Sequence, residues 1–497
     1  MNRTTLSLIA AATALAAVTG FAAASRPGGE DDTTSKAAAH LPVERSSLLC
    51  PAPSQSDLAE TAYTSYTPVT KDAQDSGKAE LLPARTGASD SGDAKGKTKT
   101  PKSVVTPKEP GKPVAGEASG ADEPALVGTA DGRLAPGWTV QQTTTVEAGT
   151  GRGLLGVDCS APDTDFYFPG ASTAKDRTDY IHLTNPDDEA AVVDVQLYGP
   201  GGAVKSEVGE GIQVGPHSSV PVLLSTLTEK EYPNLTLHVT ARSGRVAAVV
   251  SAADDKLGGD WLPASADPAG SLVLPGIPKD ATSARLVVFA PGQDDADLKV
   301  QLATSSGKIV PAGHDTVHVK SGMTSAVDLG EVTRGDAGSL ILTPTEDSVP
   351  VVAALRVTRG KGADQETAFI PATRGIGARA TVTDNRAKGS TLALTAPGAT
   401  GKVKVTASQG TGGGTAITKE YTVKGGTTLS VTPPVPDGLK GTYALTVEPV
   451  SGGSVYGSRM LEEKQDDVPA FTIQLLPDDR GTVSVPQAGE DLAVLQK

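Results

Sequence analysis

The chain has 497 residues, too many for one core, so several domains of ordinary size are expected. Its 44 Lys+Arg against 58 Asp+Glu leave a formal net charge of −14, and a chain this acidic repels nucleic acid and anionic lipid as a whole. Aromatics make up only 3%, whereas Gly (56) and Pro (36) are frequent; with abundant Val, Thr and Ala this reads as short strands joined by turns.

The first residues, MNRTTLSLIAAATALAAVTGFAAASRPGG, have the three parts of an export signal. Arg3 is the positive start, residues 6–18 are the apolar stretch, and Ala22, Ala23 and Ala24 are a small-residue cleavage site. Residues 1–24 therefore read as a signal peptide, with an uncleaved anchor as the alternative. Either way the remainder is expected outside the cytoplasm, touching a membrane only through an uncleaved signal. Residues 25–40 read as flexible. The C-terminal GEDLAVLQK is too short and polar to hold a membrane.

Cys50 and Cys159 fit an oxidising exterior, and a structural disulfide between them is the expected use. A two-cysteine metal site lacks nearby His or Cys ligands. Residues 71–124 hold no aromatic residue and are rich in Gly, Pro, Ser and Lys. Such a segment buries too little apolar surface to offset its ordering entropy, so a disordered insert is expected there.

The rest is strand-and-turn text. In AAVVDVQLYGPGG, Val193, Val195 and Leu197 alternate with Asp194 and Gln196, giving one buried and one wet face. Three landmarks then recur in order. An apolar strand ends in Pro51, Pro186, Pro291 and Pro397; the last two intervals are 105 and 106 residues. A run such as SGRVAAVV follows, anchored at Gly153, Val246, Val352 and Val455. A second apolar pair ends in Pro169, Pro263, Pro371 and Pro477, spaced 94, 108 and 106 residues apart.

This is internal duplication with a period near 100 residues, too long for a propeller blade or solenoid turn. It suits a two-sheet sandwich of about seven strands. The expected fold is all-β: a tandem array of about four immunoglobulin-like β-sandwiches at residues 41–170, 171–265, 266–373 and 374–497. The first carries the insert, and the Cys50–Cys159 bond pins it.

Candidate chemistry is sparse. His314 and His318 form an HxxxH spacing, but in strand-and-turn text those side chains do not converge. Acidic clusters follow Pro186 (Asp187, Asp188, Glu189) and Pro291 (Asp294, Asp295, Asp297), where loop calcium is conceivable and plain surface turns are the simpler reading. The loop holding Asn185, Asp187, Asp188 and Glu189 is the candidate binding surface. Trp261 takes an apolar position shared with Phe168 and Phe369, which points to packing. No nucleophile, zinc, P-loop or dinucleotide motif is present, so no catalytic residue, metal or cofactor is expected.

At CPAP, CSAPDTDFYFPG, LTNPDDEAAVVDVQLYGPGG, SGRVAAVV and VPVVAAL the chain resembles an uncharacterised family of secreted actinobacterial proteins, catalogued as a domain of unknown function. The resemblance covers most of residues 41–497. Relatives tend to be encoded beside a glycosyltransferase and mannose-phosphate enzymes, which implies the cell envelope; no catalytic residue carries over.

The expected function is therefore an exported, non-enzymatic envelope protein that binds or scaffolds, its partner an envelope protein or wall glycopolymer and not nucleic acid. A carbohydrate-binding accessory for glycopolymer assembly is the first alternative. The second is a hydrolase with an inter-domain site, for which converging carboxylates in a deep polar pocket would be the mark.

Overall fold

The computed structural model describes residues 39–86, 102–465 and 468–485. The expected signal at residues 1–24, the flexible stretch 25–38 and the C-terminal tail from residue 486 lie outside the described residues. Ala39 and His40 differ from expectation, since they belong to β1 (Ala39–Pro42), which pairs with β38 (Thr482–Val485) as a separate two-stranded ribbon.

The first sandwich is built from β2 (Arg45–Cys50), β3 (Ala59–Tyr66), β4 (Ala79–Pro83), β5 (Arg85–Thr86), β6 (Val114–Ser119), β7 (Leu126–Asp131), β8 (Thr139–Val146) and β9 (Gly153–Asp158). Sheet β2–β7–β4 faces sheet β6–β3–β8–β9.

The second has β10 (Asp165–Ala171), β11 (Arg177–Thr184), β12 (Ala191–Gly199), β13 (Gly202–Val204), β14 (Ile212–Val214), β15 (Ser218–Leu223), β16 (Leu235–Ser243), β17 (Ala247–Asp254) and β18 (Gly258–Leu262). Its sheets are β10–β16–β12–β13, with β14 beside β12, and β18–β17–β11–β15–β5.

The third has β19 (Leu272–Ile277), β20 (Ala281–Phe289), β21 (Ala296–Ala303), β22 (Lys308–Ile309), β23 (Thr316–Val319), β24 (Thr324–Asp328), β25 (Gly338–Pro344), β26 (Val352–Arg359) and β27 (Glu366–Pro371). The fourth has β28 (Ala380–Asn385), β29 (Ser390–Ala396), β30 (Gly401–Gly410), β31 (Gly413–Thr415), β32 (Ile417–Val423), β33 (Thr427–Val431), β34 (Asp437–Lys440), β35 (Tyr443–Gly452), β36 (Tyr456–Gln465) and β37 (Val468–Leu475). Both repeat the same plan, β19–β25–β21 against β24–β20–β26–β27 and β28–β35–β30 against β33–β29–β36–β37.

Alternation drives each sheet: along β12, Ala191, Val193, Val195 and Leu197 are buried while Gln196 faces water. Asp194 is buried too, held by Arg242 and by the Gly211 amide at 2.8 Å.

The four sandwiches close into a ring within residues 42–483. Their last strands meet at a hub, where β9 lies against β18 and β37, and β27 lies against β18 and β37. Each sandwich has an open side between its first strand and its last, and the β-sheet of the next sandwich plugs it. Val249 and Trp261 of the second pack onto Ala59, Leu155 and Val157 of the first. Ala354 and Phe369 of the third enter the core of the second, and Phe471 and Ile473 of the fourth enter that of the third. The first sandwich plugs the fourth, through β8 and β3 against β28. Burying the last strands at a hub removes four sheet edges that would otherwise invite edge-to-edge pairing.

Several expectations shift. The stretch 71–124 carries β4, β5 and β6, while residues 87–101 lie outside the described residues. Leu81 and Val105 are the reason: both are buried in the core, and β4 is laddered onto β7. Residues 165–170, assigned by sequence to the first unit, lie in β10, which pairs with β16, so the first sandwich ends near Asp158.

The landmarks of unit one are displaced by one strand. By ladder position β3, ending before Pro68, matches the strands that end before Pro186, Pro291 and Pro397; β2 does not. Likewise β8, not the Gly153 run, matches β17, β26 and β36. In the third unit the residue matching Val246 and Val455 is Val351 rather than Val352: both Val246 and Val351 form isolated bridges immediately before their strands.

The Cys50–Cys159 disulfide is formed, spanning 109 residues and buried where Leu49 bridges Ser160. Replacing both cysteines by alanine should lower unfolding free energy by about 2–4 kcal/mol, chiefly by freeing the unfolded chain. Urea denaturation checks this, and an unmoved midpoint would show that the bond does not support the first sandwich.

Candidate functional site

The loop after β11 was the sequence's candidate surface. Asn185 is fully buried there, and its amide nitrogen donates to the carbonyls of Glu189 (2.7 Å), Val214 and Gly215 (both 3.1 Å). Its Oδ1 accepts the Asp187 amide at 2.9 Å. Every polar atom of that side chain is consumed in holding the turn, so it cannot also hold a ligand. Asp187 pairs with Arg245 (2.9 Å) and Asp188 with His217 (2.7 Å). Asp188 and Glu189 remain exposed; they are the part of the candidate set that faces solvent.

In the third sandwich His318 meets Asp297 on β21 at 2.8 Å and the loop residue Asp295 at 3.7 Å. His318 therefore pairs with carboxylates of its own sandwich. Among the described residues no group of three or more His, Cys, Asp or Glu is placed to hold a metal ion. Trp138 donates to Ser65 Oγ at 2.9 Å inside the first core, and Trp261 lies edge-on to His182 at 5.2 Å. Both indoles are buried, so neither is a platform for a sugar.

Carboxylates do converge, at the hub. Asp260 on β18 accepts the Gly156 amide (3.0 Å) and the Thr472 hydroxyl (3.1 Å), and Gln474 donates to Thr472 Oγ1 at 2.9 Å. Glu366 on β27 faces Arg152 at 3.5 Å. Burial is the main reason that Glu366 is pushed up to about 7, against the pull of Arg152. Asp260 is raised well above the usual carboxylate range by burial, with Glu366 adding to it.

Asp260 and Glu366 are each 1% exposed. Glycines let the strands pack closely around them: a Cβ on Gly153 would stand 2.6 Å from Glu366 Oε2, and one on Gly156 would stand 2.2 Å from Gln474 Nε2. Two open surface concavities, one beside Asp280 and Arg334 and one beside Arg45 and Asp131, contain none of these residues. The hub holds two carboxylates with raised proton affinity, both buried.

Sequence reasoning missed the hub, because nothing local says that four last strands meet. It also missed Arg459 on β36, the largest buried charge. Arg459 Nη2 donates to Gln141 Oε1 of the first sandwich and to Thr383 O (2.9 Å), while Nε and Nη1 have no partner among the described residues. Burial pulls its guanidinium down to about 10, with Asp384 and Asp158 opposing. Aligned on the ladders, Arg459 takes the position of Val250 and Leu355, so a charge standing in an apolar slot was the available signal.

A family model described as a family of unknown function (DUF5719) matches residues 114–434, from β6 to just past β33. No curated protein matches the chain.

Proposed function

Because the chain belongs to this family of unknown function (DUF5719), no activity comes with membership, and we propose that it is an exported, non-enzymatic component of the cell envelope that binds or scaffolds. One observation carries the reading: the convergent carboxylates, Asp260 and Glu366, are buried inside the hub among close-packed glycines and line neither of the two open concavities. A disulfide buried in the first core supports an oxidising location, and among the described residues no helix is long and apolar enough to cross a membrane. The partner is an envelope protein or wall glycopolymer, met through solvent-facing loops such as the one carrying Asp188 and Glu189.

The test is a pull-down from envelope extract with the mature chain, run beside purified wall fractions and assays on peptidoglycan, wall polysaccharide and model esters. Retention of one envelope component without turnover is the expected result. Turnover abolished by Asp260→Asn or Glu366→Gln, with the fold intact by circular dichroism, would overturn it in favour of a hydrolase.

A further inference from the structure

The four joints of the ring are equivalent by ladder position, so they can be compared residue by residue. The plugging residue on the last strand is Trp261 at the first joint, Phe369 at the second and Ile473 at the third. Its counterpart at the fourth, where the first sandwich enters the fourth, is Gly156. The companion position on the neighbouring strand holds Val249, Ala354 and Ser458, and then Gln141.

What the fourth joint has in place of an apolar plug is charge and amide. Arg459, Asp158 and Gln474 contribute four of the buried side-chain atoms that lack a hydrogen-bond partner among the described residues. Its bulge also differs from those of the second and third joints, which are built on Gly170 and Gly276. At the third joint the bulge residue is Gly276, at φ 88°; the matching residue on β28 is Asp384, buried and held at φ 52°. A non-glycine residue in that region is strained, and half-satisfied buried polar networks are weaker than apolar packing. The apolar contact left there is small: Leu154 against Leu461 and Ala470.

We propose that this joint is the gate of the ring: the first and fourth sandwiches part there reversibly while the other three joints stay shut. The repeat supplies the comparison that makes the departure meaningful, since local rules broken without a compensating gain mark working parts of a fold. Opening at this joint leaves the sheets of the four sandwiches intact and exposes the faces of β8 and β28; it also parts β9 from β37, so the hub carboxylates are sealed in the closed ring. The elements facing Arg459 across the gate are β8 and β9, and beside it on its own sandwich stand Asp384, Arg386 and Tyr443.

Cysteine accessibility reads the opening, because parting faces expose side chains without breaking ladder hydrogen bonds. Ala470 and Ala354 are both buried alanines, the first at the gate and the second at the joint between the second and third sandwiches. In native buffer Ala470→Cys should react with a thiol reagent at least about 100-fold faster than Ala354→Cys, a difference of roughly that size being expected between local and global opening. Should either protein fail to fold, Thr383→Cys and Ser458→Cys form a second matched pair, since each hydroxyl donates to a carbonyl of the adjoining sandwich. Rates within about tenfold of each other, or a faster reaction at the control joint, would overturn the proposal.

Discussion

Phe369→Ala should lower the unfolding free energy by about 3–5 kcal/mol, the range for truncating a buried aromatic without collapse of the cavity. Phe369 is 1% exposed and lies in the core of a sandwich it does not belong to, beside Phe168 and Leu262. Its removal therefore opens a void at the joint between the second and third sandwiches and strips the second of its plug. The Arg177 guanidinium, 5.8 Å from the ring centroid, loses its aromatic partner as well. Guanidinium denaturation followed by tryptophan fluorescence measures it, Trp261 reporting from a different joint. A loss below about 1 kcal/mol would mean the ring does not depend on its plugs, and the equivalence drawn between joints would fail with it.

How much of this was legible in the sequence depends on which residues carried the signal. Units two to four were readable because Pro186, Pro291 and Pro397 follow the same strand in each, and the runs at Val246 and Val455 precede the same strand. Unit one misled because its own marker, Thr67–Pro68, looks like any turn, while Cys50–Pro51 imitates the landmark one strand early. The single-residue slip from Val351 to Val352 mattered more than its size suggests. In a strand it moves every side chain to the opposite face, so counting from Val352 sets Arg459 beside Arg356 instead of Leu355, although counting from Val246 sets it beside Val250. The ring itself was not legible at all. Which sheet plugs which opening is a long-range packing result, and each plugging residue reads locally as one more buried Trp, Phe or Ile. In loop 185–190 the burial of Asn185 and its hold on the turn were not legible, because a buried Asn and an exposed one are the same letter.

Acidification should stabilise the protein between pH 7 and about 5, the reverse of the usual acid response. Burial pushes Asp158 up to about 7 from an ordinary 3.8, with Arg459 opposing, and pushes Glu366 up to about 7 from 4.5. Above pH 7 both are charged in the folded and unfolded chain alike, and the fold bears the cost of burying them. As the pH falls below 7 the folded chain takes up these protons while the unfolded chain does not, so stability rises; each contributes on the order of 3 kcal/mol once the ordinary values are passed. Asp260, raised by burial in the same hub, acts in the same direction. His182 opposes them. Buried against Trp261 with its Nδ1 unpartnered, it is held down to about 4 from 6.5, so between those values the unfolded chain takes the proton and the fold refuses it. Asp158, Glu366 and Asp260 together outweigh one imidazole, and the net sign favours the acid side. Melting temperature by circular dichroism should be higher at pH 5 than at pH 7.5, and Asp158→Asn should flatten the difference by removing one of the proton sites. A melting temperature that instead falls steadily from pH 7.5 to pH 5 would mean that these carboxylates are hydrated in the folded protein, and that the hub is not sealed.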